Sequence, residues 1–111
     1  MNPKFNVEFL DEAIEFLEQL DKKTREKIFY NIIKSQCSND PELFKKLNDN
    51  IWEFRTVYNK KDYRLFSFWS NTDIGITCVI ATHGILKKTQ KTPSKEIKKA
   101  EKLRKKYFKN C

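Results

Sequence analysis

His83, Lys87 and Lys88 lie close together, in a stretch, HGILKKTQKTPSKEIKKA, that holds the only histidine of the chain and six lysines. Upstream, Arg55 sits in IWEFRTVY and Arg64 in YRLFSFWS. An imidazole that titrates near neutrality, ammonium groups that carry protons and planar guanidinium forks suit chemistry at a phosphodiester. RNA cleavage needs no metal with such a set, because the ribose 2′-hydroxyl attacks its own neighbouring phosphate once a base takes its proton. The protein supplies that base, an acid for the leaving 5′-oxygen, and positive charge for the developing phosphorane. His83 with Lys87 or Lys88 fills the acid and base roles, and Arg55 and Arg64 hold charge. Each acid or base contributes roughly 10²- to 10⁴-fold. DNA lacks the 2′-hydroxyl and escapes this route.

These residues must be delivered to one place by strands. IWEFRTVY from Ile51, YRLFSFWS from Tyr63 and IGITCVIAT from Ile74 are short, rich in β-branched and aromatic residues, and separated by the turn-like NKKD and NTD. The spacing predicts an antiparallel meander. Alternation puts Trp52, Phe54, Thr56 and Tyr58 on its apolar side, and Glu53 and Arg55 together on the other. Arg64 points away from its neighbours Tyr63 and Leu65, and a charge within an apolar strand needs water or a partner. A cross-strand pair of Glu53 with Arg55 or Arg64 meets that need. Two arginines on adjacent strands, next to a basic loop, point further, to a phosphate-binding cleft. His83 is expected to end the third strand, with Lys87 and Lys88 in the turn beyond, all at the arginines' edge.

The remaining elements are helical apart from an opening strand in KFNVEF. Leu10, Ala13, Ile14, Leu17 and Leu20 make one amphipathic stripe. Asp21 caps a second helix that runs to about Cys37, and LFKKL adds a short turn. A last helix has Thr92 as its cap, Pro93 in its first position, and Ile97, Ala100, Leu103 and Tyr107 at helical spacing. The fold class is therefore α+β, one domain over residues 1–111: an antiparallel sheet with an N-terminal helix pair on one face and a C-terminal basic helix. The sheet's other face is left for function.

Composition narrows the partners. The net charge is +8, and residues 87–111 alone hold eleven Lys or Arg against two acids. Such a segment attracts a polyanion, most often nucleic acid, through Lys91, Lys95 and Lys98 beside the cleft. Three widely spaced cysteines without a CxxC pair argue against a disulfide framework or a zinc site, and fit a reducing cytoplasm. No metal or cofactor is expected, and no apolar run approaches a bilayer span. Gly75 and Gly84 are too far apart for a nucleotide-binding loop.

The string WEFR…YRLF…HGILKKTQKTPSKEIKKA resembles the HigB-like, phage-derived branch of the RelE/ParE toxin superfamily, over nearly the whole chain. The resemblance implies a RelE-like fold and cleavage of mRNA in the A site of the bacterial ribosome. It also implies a cognate antitoxin, a helix-turn-helix HigA-like protein, in a toxin–antitoxin hetero-oligomer. By position, Arg64 in YRLF matches the arginine that contacts the scissile phosphate, Lys87 or Lys88 the basic pair at the end of the last strand, and Arg55 a basic position of the family pattern. Ile51 and Glu53 stand where the RelE prototype has catalytic lysines, and Ile97 where it has a tyrosine. The base and acid must then differ, and Glu53, His83, Lys88 and Tyr107 are the candidates. The same scaffold also suits a non-catalytic protein, either a ParE-like toxin that binds DNA gyrase or an RNA-binding module, or an inactive phage remnant.

Overall fold

The computed structural model describes residues 3–71, 75 and 77–110. The elements run β1 (Asn6–Phe9), α1 (Asp11–Glu18), α2 (Lys22–Gln36), β2 (Phe44–Lys46), β3 (Trp52–Tyr58), β4 (Lys61–Asn71), β5 (Thr77–Lys87) and α3 (Ser94–Lys109). The class is α+β, but the sheet is mixed. Its order is β1-β5-β4-β3-β2, with β1 parallel to β5 and the other pairs antiparallel. The parallel pair arises because the crossover through α1 and α2 leaves β1 at the far edge, where β5 returns beside it. LFKKL is not a helical turn: Phe44–Lys46 pairs with Trp52–Phe54 as the edge strand β2.

The meander is the expected one. β3 and β4 meet in a two-residue turn whose central residues, Asn59 and Lys60, have φ of 54° and 64°. That is the left-handed geometry that matches the twist of a tight hairpin. The expected strand start at Ile74, and most of the turn at 71–73, lie outside the described residues. At its other end β5 continues past His83 to Lys87. A bulge interrupts it: Ser67 pairs with Ala81 and Phe66 with His83, leaving Thr82 as the extra residue. This reverses the alternation, so Cys78 and Ile80 before the bulge share a face with His83, Ile85 and Lys87 after it.

Both faces of the sheet carry helices. Ala13 and Leu17 of α1 and Ile28 and Ile32 of α2 pack with Phe54, Leu65, Val79 and Ala81. Asp21 caps α2 as expected, accepting from the Thr24 backbone N–H at 3.3 Å. Gly84 belongs to this face, where a Cβ would come within 2.3 Å of the Phe16 ring. On the opposite face Ala100 and Ile97 of α3 cover Ile51, Phe66, Phe68 and Ile80. The face expected to be open is therefore half closed by the basic helix itself. Thr92 does not cap that helix; Pro93 takes the cap position, and the Thr92 hydroxyl donates to Glu53 Oε1 at 3.4 Å.

Candidate functional site

Three rungs cross the α3 side of the sheet. Glu53, Phe66 and His83 form the first, Arg55, Arg64 and Ile85 the second, and Val57, Asp62 and Lys87 the third. The first lies under the start of α3. From the other two, Arg55, Arg64, Asp62 and Lys87, with Lys88, Thr89 and Gln90 from the following loop, line a cleft of about 590 Å³. The structure thus brings together Arg55, Arg64, Lys87 and Lys88, four of the residues singled out by sequence. It adds Asp62, the last residue of the turn-like NKKD, which belongs to β4.

Arg64 is the anchor of the cleft. Its side chain is 4% exposed and every arm is engaged: Nε donates to Asp62 Oδ1 at 2.7 Å, Nη2 to Asp62 Oδ2 at 2.8 Å, and Nη1 to Glu53 Oε2 at 2.7 Å. Burial works against its charge, but the bonds and fields of Asp62 and Glu53 outweigh it and hold the guanidinium's pKa above its ordinary value. Arg64 and Arg55 face each other directly across β3 and β4. Like charges so placed repel, and the two carboxylates between and beside them make the juxtaposition tolerable. Arg55 is the more accessible at 27%; Nη1 donates to the Pro41 carbonyl at 3.1 Å, and Nε lies 3.8 Å from Glu53 Oε2 with no hydrogen-bond partner among the described residues.

Glu53 is thereby withdrawn from the list of free bases. It does not project from an open face: its side chain is 2% exposed, bound by Arg64 and roofed by Thr92. A buried carboxylate in such a bond balances the guanidinium.

His83 is also displaced from the expected position. It does not end its strand; Ile85 separates it from Lys87 on the same face, and α3 folds back over it. Its ring stacks on Phe66 at 4.9 Å between centroids, Nδ1 lies 2.9 Å from Thr82 Oγ1, and Nε2 lies 3.1 Å from Glu96 Oε1. Burial pushes its pKa below the ordinary histidine value, and the Glu96 hydrogen bond only partly opposes this. The sign follows: the folded state prefers the neutral ring, so His83 favours folding at neutral pH, and that contribution is lost as pH falls below the unfolded-state value of about 6.5. Thermal melts at neutral and mildly acidic pH are expected to show wild type losing stability on acidification, with His83→Asn losing less. The same variant is expected to keep the activity of the cleft; its loss from a folded His83→Asn protein would return His83 to the site.

The remaining candidates divide by distance from the cleft. Tyr107 is near the far end of α3, with its ring 5.3 Å from Phe68. Lys91, Lys95 and Lys98 are exposed and lie outside the cleft wall, in the loop and first turns leading away from it. Along α3, Lys95, Lys98, Lys102, Lys105 and Lys109 recur at three- and four-residue spacing, flanked by Lys99 and Lys106. At about 100° per residue all seven fall within an arc of about 120°. Lys99 pairs with Glu12 at 2.7 Å. Like charges at these spacings weaken a helix slightly, so the arc is held at some cost.

Among the described residues no group of three or more His, Cys, Asp or Glu is placed to hold a metal ion. Cys37 and Cys78 are free thiols. No helix among the described residues is long and apolar enough to cross a membrane. The cleft can thus place positive charge on a phosphate through Arg55, Lys87 and Lys88, over a floor of buried ion pairs. Residues 15–105 match a family model described as Phage derived protein Gp49-like (DUF891). A search of curated proteins found no match.

Proposed function

The chain belongs to the Gp49-like family of phage-derived proteins, a type II toxin family related to the RelE-like toxins, and from that premise we propose that it is a HigB-like toxin that stops translation by cutting mRNA on the bacterial ribosome. The observation that carries the reading is the convergence of Arg55, Arg64, Lys87 and Lys88 on one cleft, from three adjacent strands and the loop after the last of them. Those four cations outnumber the carboxylates beside them, Asp62 and Glu53. A phosphodiester is the substrate that such a surplus favours. The cleft opens to solvent, which suits a strand presented by the ribosome. Arg64 sets the floor, Arg55 and Lys88 hold the phosphate oxygens, and Lys87 stands at the reacting bond. The partner that silences the protein is a helix-turn-helix antitoxin in a hetero-oligomer, in the bacterial cytoplasm.

The lysine arc of α3 extends the same reading. It starts beside the cleft, and α3 is about 24 Å long at 1.5 Å per residue, so a strand leaving the cleft has phosphate partners for several nucleotides. For single-stranded RNA the logarithm of affinity falls with the logarithm of salt at about −0.7 per neutralised phosphate. Binding of a 2′-O-methyl RNA, which cannot be cut, is expected to show a steep slope. Replacing Lys98, Lys102 and Lys105 with Gln is expected to flatten it by about 2 units. An unchanged slope would separate the arc from RNA.

The burial of Glu53 and His83 favours one competing reading, a ParE-like toxin that binds gyrase and cuts nothing. Induction in bacterial cells separates the two. Rapid loss of message without DNA-damage signalling supports the ribonuclease; DNA-damage signalling with intact message supports the gyrase reading.

A further inference from the structure

With His83 under α3 and Glu53 locked beneath Thr92, the cleft lacks the base that sequence reasoning supplied. Among the described residues, Asp62 is the one carboxylate on its wall. We propose that Asp62 is the general base of the cleavage and Lys87 its paired general acid. This rests on the ribonuclease reading given above.

Three features of the cleft support the assignment. Asp62 is accessible where Glu53 is not: its side chain is 33% exposed, against 2%. It is also held in place, because Arg64 Nε and Nη2 grip its two oxygens in a fork at 2.7 and 2.8 Å. A carboxylate oxygen has two acceptor sites, so each keeps one for a substrate proton. Third, Lys87 is directly opposite Asp62 across the β4 and β5 pair, on the same face. Directly opposed side chains stand about 5 Å apart at Cβ, a separation that one phosphate group spans.

The step balances as follows. Asp62 takes the proton of the 2′-hydroxyl as that oxygen bonds to phosphorus. The bond from phosphorus to the 5′-oxygen breaks, and the leaving oxygen takes a proton from the Lys87 ammonium. The products are a 2′,3′-cyclic phosphate and a 5′-hydroxyl. Asp62 is left protonated and Lys87 neutral, and a proton passed between these neighbours through water restores both. Arg64 does not touch substrate in this scheme; it is a positioning residue that aims Asp62.

The test compares wild type with Asp62→Asn, Asp62→Glu and Lys87→Ala on a short synthetic mRNA in a reconstituted translation reaction. Thermal melts give the folded fraction of each variant. Asp62→Asn is expected to bind 2′-O-methyl RNA at least as well as wild type, since it removes a negative charge, and to cleave about 10²- to 10⁴-fold more slowly. Asp62→Glu keeps the acceptor and is expected to cleave far faster than Asp62→Asn at equal folded fraction. A message with sulfur in place of the leaving 5′-oxygen needs no acid, so it is expected to rescue Lys87→Ala and not Asp62→Asn. Wild-type cleavage by Asp62→Asn, an equal loss in Asn and Glu variants, or the opposite pattern of rescue would each overturn the proposal. If wild type itself leaves the message intact, the ribonuclease reading falls, and the proposal with it.

Discussion

Replacing Arg64 with Ala is expected to destabilise the protein severely before it reports anything about catalysis. The guanidinium is 4% exposed, and its removal strands the Glu53 carboxylate, 2% exposed, with Thr92 at 3.4 Å and Arg55 at 3.8 Å as its remaining partners. Breaking one side of a buried pair costs about 3–5 kcal/mol, because the other charge stays behind without compensation. A domain of this size has roughly 5–15 kcal/mol in all, so the loss is a large share. The melting temperature should drop by on the order of tens of degrees. Adding Glu53→Gln to Arg64→Ala should recover part of the loss, since a neutral amide costs less to bury than a carboxylate. Melts of the two single variants and the double variant measure this directly. An Arg64→Ala protein that melts within a few degrees of wild type would show that the pair carries no such weight. Lost toxicity in Arg64→Ala is therefore no evidence for a phosphate contact, even though the family resemblance points to this arginine.

The second large effect belongs to the lysines at the cleft mouth, and there function separates from stability. Lys88 is exposed and Lys87 half-buried, at the end of β5 and the start of the loop. Surface substitutions of this kind usually change stability by less than about 0.5 kcal/mol. Loss of the acid from Lys87→Ala should slow cleavage by about 10²- to 10⁴-fold. Loss of the Lys88 charge should cost about 10²- to 10³-fold, the scale set by removing one preorganised donor from a developing anion. The decay rate of a reporter message after induction, read beside the melting curves, checks both. Fast decay with either variant would remove that lysine from the site.

Much of this was legible in the sequence, and the gaps have physical causes. Helical spacing and an Asp cap gave α1 and α2 nearly to the residue, and alternation correctly turned Phe54 to the helix pair and Arg55 away from it. Short-range periodicity says nothing about which strand neighbours which, so the parallel β1 and β5 pair was invisible. The three-residue strand Phe44–Lys46 is too short to show a period. At Thr82 one bulge reverses the alternation and moves His83 to the α3 face, a shift that pattern alone does not predict. Asp62 was hidden in a stretch read as turn. The signal was present: a tight turn at Asn59 and Lys60 starts β4 at Lys61, and counting back two from Arg64 then puts a carboxylate beside it. The spacing of Ile97, Ala100, Leu103 and Tyr107 shows that the basic segment is a helix, but not that it closes half of the sheet face beside it.

The measurement that decides most directly is primer extension on a defined mRNA in a reconstituted bacterial translation reaction, with wild type and the Lys87→Ala, Lys88→Ala double variant at equal folded concentration. New 5′ ends that require translation and vanish in the double variant are the predicted result. They would place RNA cleavage in the cleft of Arg55, Asp62, Arg64, Lys87 and Lys88. A message that stays intact with wild type, or one cut equally by the double variant, would contradict it.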